Sequence, residues 1–124
     1  MKLRIKGNSI RFRLGRSEVA TLIEKGFLSE ETRFTSEKSF YYGLIVSDEV
    51  EQVEPKFEGD RIMVVLPGET ARDWASGSEV GIASAQDELN ILVEKDFVCH
   101  GRPDDPDNAD AFPDLSVPSA VAGG

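Results

Sequence analysis

The sequence predicts a β-rich α+β fold made of two tandem ββαββ units about a pseudo-twofold axis, followed by an acidic tail. Three observations predict it. The segment Gly7-Asn8-Ser9-Ile10-Arg11-Phe12-Arg13-Leu14 returns 52 positions later as Gly59-Asp60-Arg61-Ile62-Met63-Val64-Val65-Leu66, and a duplication of this kind makes each half a supersecondary unit that must bury its apolar face on the other. Much of the chain alternates apolar with polar residues at the period of two that marks half-buried strands. Each repeated strand is followed by a short stretch with apolar residues at helical spacing, closed by a glycine. The expected boundaries are a single domain over 1–97, with unit one at 1–47 and unit two at 48–97, and a tail over 98–124.

In the first unit, Leu3 and Ile5 alternate with Lys2, Arg4 and Lys6, and Ile10, Phe12 and Leu14 alternate with Arg11 and Arg13. Gly7-Asn8-Ser9 between them has hairpin-turn chemistry, so Arg4, Lys6, Arg11 and Arg13 should share the solvent face of one hairpin as a basic patch. Gly15 stands at an N-cap position with Glu18 three residues on. Val19, Leu22 and Ile23 then fall on one helical face from Arg16 to Lys25, and Gly26 is the stop. A brief strand is expected at Thr32 to Thr35 and a clearer one, aromatic and β-branched, at Phe40 to Val46.

Ser47-Asp48-Glu49 is turn-like and marks the unit boundary. Val50 to Phe57 should be an edge strand or bulge, because Pro55 interrupts it. Ile62 to Leu66 is apolar on both faces and should be a central strand. Pro67-Gly68-Glu69 opens the second helix, which runs to Ser76 before Gly77, and the repeat aligns Trp74 with Leu22 at the same core site. Ser78 to Ala83 and Leu89 to Lys95 are the last two strands, with Gln86-Asp87-Glu88 as their turn. From Arg102 onward Pro, Asp, Ala and Ser dominate, a composition that cannot offset the entropy of ordering itself, although Ala111-Phe112 and Leu115 can touch the body locally.

The 124 residues carry a formal charge of −9, unevenly spread. Residues 1–47 hold nine Lys or Arg against five Glu, and residues 48–124 hold five against eighteen Asp or Glu. The polarity fits either an anion-binding face beside an acidic tail or two halves that attract each other. An overall acidic protein is a poor starting point for phosphate backbones, so nucleic acid is a possible but disfavoured partner. No run reaches the ~20 apolar residues of a membrane span. The amino-terminal segment lacks the apolar core of a secretory signal and the only cysteine, Cys99, has no partner in the chain. A cytoplasmic protein with no membrane partner is expected.

Candidate chemistry is sparse. Cys99-His100 is the only thiol and imidazole pair, yet neighbours on an extended segment point to opposite sides, and a zinc site would need more ligands. Asp104 to Asp110 loosely resembles a calcium loop without its glycine and terminal glutamate. Glu94 and Asp96 would share one face of a strand end, where charges are usually exposed. Nucleotide and hydrolase signatures are absent. The expectation is therefore no enzyme, no cofactor and no metal.

Two resemblances follow. Met1 to Leu14, with Val93 to Cys99 and Ala111-Phe112-Pro113, resembles a family of short bacterial proteins of unknown function, which implies a bacterial source and transfers no activity. Ile5 to Leu14, with Val65-Leu66-Pro67-Gly68-Glu69, is similar to the hairpin and the strand-proline-helix step of swapped-hairpin AbrB-type regulators and MazE-like antitoxins. That likeness implies two interleaved units forming a pseudo-dimer, with DNA-facing positions at Lys6, Asn8, Arg11 and Arg13. The first unit lacks the proline, and Met63 and Val65 stand where the first copy has Arg11 and Arg13, so a symmetric DNA surface would be lost on one side. The function expected is a non-enzymatic binding or interaction module whose basic face, Arg4, Lys6, Arg11 and Arg13 with Arg33 near them, takes an anionic ligand or a protein. The alternative is an AbrB/MazE-like DNA-binding or antitoxin-type regulator.

Overall fold

The computed structural model describes residues 1–86, 88–96 and 112. Period-two alternation and glycine turns produce, in chain order, β1 (Lys2–Lys6), β2 (Ser9–Leu14), α1 (Arg16–Lys25), β3 (Phe27–Arg33), β4 (Ser39–Ser47), β5 (Glu54–Glu58), β6 (Arg61–Pro67), α2 (Gly68–Ser76), β7 (Gly81–Gln86) and β8 (Leu89–Lys95). The fold is α+β and strand-rich, and the order ββαββ occurs twice.

Both β1–β2 and β5–β6 are closed by two-residue turns whose first position is a glycine at positive φ, Gly7 at 54° and Gly59 at 57°. A side chain at either place would be strained, and the primed turn that such a glycine allows matches the twist of paired strands. The register repeats with the sequence: Lys2 lies opposite Arg13, and 52 residues on Glu54 lies opposite Val65.

The hairpins are exchanged between the two halves of the chain. β2 runs parallel to β8 and β4 runs parallel to β6, giving one sheet in the order β1-β2-β8-β7 and a second in the order β3-β4-β6-β5. Each sheet thus joins one hairpin from either half. Advancing every strand number of the first sheet by four, cyclically, gives the second sheet read backwards.

α1 forms because Val19, Leu22 and Ile23 line one face, the Glu18 carboxylate accepts the Gly15 N–H at 2.9 Å, and the Gly26 N–H closes the end on the Leu22 carbonyl at 2.8 Å. α2 buries Ala71 and Trp74 and begins directly after Pro67, which stands at the N-cap position without a capping hydrogen bond. The helices pack on each other, and one core takes Phe12, Leu14, Val93 and Ile91 from the first sheet, Leu44, Val64 and Leu66 from the second, and Leu22 and Trp74 from the helices. Trp74 and Leu22 are both wholly buried, as the repeat predicts, and the Trp74 indole N–H donates to the Val80 carbonyl at 3.0 Å.

Three boundaries differ from the sequence expectation. β3 starts at Phe27 and ends at Arg33, rather than spanning Thr32 to Thr35, because Val46 donates to the Gly26 carbonyl and starts a long antiparallel ladder with β4 that carries Glu30 and Glu31 against their own propensity. β5 begins only at Glu54, at the edge where Pro55 is tolerated. β7 lies later than Ser78 to Ala83 and draws in Gln86, because Val80 is engaged by both Trp74 and the Lys95 N–H. The expected tail, Cys99-His100 and Asp104 to Asp110 lie outside the described residues, apart from Phe112. Its N–H donates to the Asp96 carbonyl at 2.7 Å and its side chain packs on the core. No helix among the described residues is long and apolar enough to cross a membrane.

Candidate anion-binding face

Residues directly opposite in an antiparallel pair share a face. Arg4 is opposite Arg11, Lys2 is opposite Arg13 and Lys6 is opposite Ser9, so Arg4, Lys6, Arg11 and Arg13 lie together, with Lys2, on the outer face of the first sheet. Their partners across the parallel join continue that face: Glu94 beside Arg13, Leu92 beside Arg11 and Asn90 beside Ser9. β7 extends it with Gly81, Ala83 and Ala85.

Glu94 Oε1 lies 2.6 Å from Arg13 Nε and 3.4 Å from Arg11 Nε, and its side chain is only 14% exposed. Asp96 Oδ2 lies 3.1 Å from Lys2 Nζ. Arg4 and Lys6 have no ion pair among the described residues. The basic face is therefore part neutralised and part open. A hollow of about 230 Å³ between Arg4, Lys6, Ser9 and Arg11 adjoins a second of about 310 Å³ between Lys2, Arg4, Arg11 and Arg13.

Arg33 does not join this face. It ends β3 in the second sheet, 3.9 Å from Glu31. Asn8 is tied down, its side-chain amide donating to the Glu88 carbonyl at 2.5 Å.

The outer face of the second sheet has another character. Glu54, Lys56 and Glu58 stand opposite Val65, Met63 and Arg61. Ile45 and Tyr41 lie beside Val65 and Arg61, the Arg61 guanidinium stacks 4.7 Å above the Tyr41 ring, and Val65 is only 5% exposed.

Two charged clusters were not foreseen. The Met1 ammonium is held by Glu18 and, at 2.6 Å, by Glu30, and the Tyr42 hydroxyl donates to the Met1 carbonyl at 3.1 Å. Burial lowers the amine pKa, but the two carboxylates more than offset it and the net value is raised. Burial, then the negative charge of Glu30 and Glu18, raises the Tyr42 phenol. Lys95, 6% exposed, points inward at the end of β8. Its Nζ donates to the Gly77 carbonyl at 2.9 Å and sits 5.3 Å from the Phe112 ring and 6.0 Å from the Trp74 ring. Burial lowers its pKa, against a smaller raising effect of Glu79. With Glu94 and Asp96 facing outward, strand alternation alone would have turned Lys95 in.

Among the described residues no three His, Cys, Asp or Glu side chains gather as a metal site. Opposed arginines, a shared glutamate, and two cations with no ion pair among the described residues make up this face. A family model described as a family of unknown function, DUF7009, matches residues 1–116. No curated protein and no solved structure matches the chain.

Proposed function

Since the chain belongs to the family of unknown function DUF7009, we propose its role from the basic face: a non-enzymatic binding module of the bacterial cytoplasm that holds an anionic ligand through Arg4, Lys6, Arg11 and Arg13. The observation that carries this reading is the direct opposition of Arg4 and Arg11 across the β1–β2 ladder. Like charges in that position repel and destabilise a strand pair, and the two carboxylates on the face are spent on Arg11, Arg13 and Lys2. An anion seated between Arg4, Lys6 and Arg11 would relieve the repulsion and gain charge-assisted hydrogen bonds. The test is a titration with dye-labelled inorganic polyphosphate followed by anisotropy. Binding should weaken with salt and fall about tenfold when Arg4→Gln is combined with Lys6→Gln; binding indifferent to both substitutions would sink the reading.

A second reading, a DNA-binding or antitoxin-like regulator, draws on the exchange of hairpins between two ββαββ units about a pseudo-twofold axis, the arrangement implied by the resemblance to swapped-hairpin regulators. It is weakened by Met63 and Val65, which leave the second sheet without the matching cations, and by an Asn8 amide already engaged. An electrophoretic shift titrated with salt decides it: duplex DNA that fails to shift even at low salt removes this reading.

A further inference from the structure

We infer that the edge of β7, open among the described residues, takes up an extended, carboxylate-bearing segment of a partner protein as a fifth strand of the first sheet, its acidic side chains directed toward Arg11. The inference rests on the basic-face reading and names the ligand class of that face.

The four sheet edges of the described residues differ in how they are guarded. β1 presents Lys2, Arg4 and Lys6; β5 presents Glu54, Pro55, Lys56 and Glu58; β3 presents Glu30, Glu31 and Arg33. Charges and proline are the usual devices that stop an edge from pairing with another chain. β7, Gly81-Ile82-Ala83-Ser84-Ala85-Gln86, has neither. The polarity of its backbone follows from the ladder. Lys95 donates to the Val80 carbonyl, so alternation along an antiparallel pair engages Ile82 and Ser84 with β8 and leaves the N–H and C=O groups of Gly81, Ala83 and Ala85 turned to the open side. Three residues' worth of backbone donors and acceptors are thereby presented in a row, the geometry that strand addition uses.

Charge complementarity selects the occupant. A trough of about 510 Å³ crosses the outer face from Ala83 and Ala85 over Leu92 and Asn90 to Ser9 and Arg11, where it meets the hollow of Arg4 and Lys6. Alanine at 83 and 85 keeps this floor low. Strands lie ~4.8 Å apart, so an added strand would stand about three strand spacings from β2, a gap that an arginine and a glutamate reaching toward each other can close. The outer face holds five cations, Lys2, Arg4, Lys6, Arg11 and Arg13, against Glu94 and Asp96, and so favours an acidic segment over a neutral or basic one.

The full chain is titrated with a dye-labelled octapeptide alternating glutamate with valine, beside a version with lysine for glutamate, a version N-methylated at alternate peptide bonds, and inorganic polyphosphate. The glutamate peptide should bind, and N-methylation should weaken it about tenfold or more by removing backbone hydrogen bonds. Ala83→Pro, which deletes an N–H facing the open side without touching the β8 ladder, should do the same while leaving polyphosphate binding intact; if that variant does not fold, the N-methylated peptide carries the comparison. Equal binding of the N-methylated and parent peptides, or of the lysine and glutamate peptides, would overturn the inference. So would a dimer in sedimentation that Ala83→Pro dissociates, since the edge would then serve a second copy. Polyphosphate binding that depends on Arg4 and Lys6, with no peptide binding, defeats the edge proposal alone; absence of both defeats the basic-face reading with it.

Discussion

On β2, Arg11 and Arg13 flank the buried Phe12; on β6, Met63 and Val65 flank the buried Val64 at the corresponding places. The inward residues agree in kind, and both strands run down the middle of a four-stranded sheet beside a parallel neighbour. Outward, one copy is cationic and the other apolar. The difference teaches that the two halves share a common set of packing constraints while only one carries arginines at these outward positions. Inner positions are held by close packing and tolerate little change, whereas the outer positions differ in setting, Arg13 being exposed and Val65 only 5% exposed.

The strongest way to test the shared interior is at its paired helix positions. Trp74→Ala should cost about 3–5 kcal/mol and Leu22→Ala about 2–5 kcal/mol in denaturant unfolding; a loss below about 1 kcal/mol at either position would mean that the two helices do not fill equivalent sites. Transplanting charge between the outer faces comes next. Val65→Arg forces a guanidinium into a site only 5% exposed, beside Ile45 and with Glu54 opposite, and should destabilise by about 1–3 kcal/mol, while Arg13→Val at the corresponding exposed position should change stability by only about 0–1 kcal/mol. Equal costs would erase the distinction between the faces.

Glu94→Gln probes the basic face from within. It frees Arg11 and Arg13 from their shared carboxylate, so polyphosphate affinity should rise severalfold while stability falls by no more than about 1 kcal/mol; unchanged affinity would show that Glu94 does not compete with ligand. The smallest expected effect is a pH slope. The Met1 ammonium has a raised folded pKa, so its ion pairs with Glu18 and Glu30 stabilise fully below the ordinary amine value of 8.0 and lose that contribution as pH rises through the higher folded value. Lys95 acts with opposite sign, since its lowered folded pKa imposes a penalty that is relieved as pH rises. Melting curves of the wild type and the Glu18→Gln/Glu30→Gln variant across alkaline pH read the amine together with the Tyr42 phenol, which the same carboxylates raise, and identical slopes would remove the cluster from the account.

Much of this was legible in the sequence for local reasons. Gly7 marked its turn and the repeat carries that turn to Gly59, Gly15 and Gly26 bounded α1, and alternation along Lys2 to Leu14 placed Arg4, Lys6, Arg11 and Arg13 on one face. The repeat also put Trp74 and Leu22 in one core. What stayed hidden depends on contacts far apart in the chain. The parallel joins β2–β8 and β4–β6 leave no turn between them to read, so nothing in the neighbourhood of Glu94 announces that it will lie between Arg11 and Arg13. Arg33 matches the basic patch by sign alone, and strand exchange carries it to the other sheet. The Met1, Glu18 and Glu30 cluster is hidden for the same reason, since it joins the first residue to a helix and to a strand of the opposite sheet.

The account turns on whether the outer face of the first sheet, and that face alone, binds anions. Polyphosphate anisotropy measured in one salt series on the wild type, on the Arg4→Gln/Lys6→Gln pair, and on the second sheet's Lys56→Gln/Arg61→Gln pair tests it directly. The account predicts salt-sensitive binding, lost about tenfold in the first pair and unaltered in the second; equal losses in both, or no binding by the wild type, would contradict it.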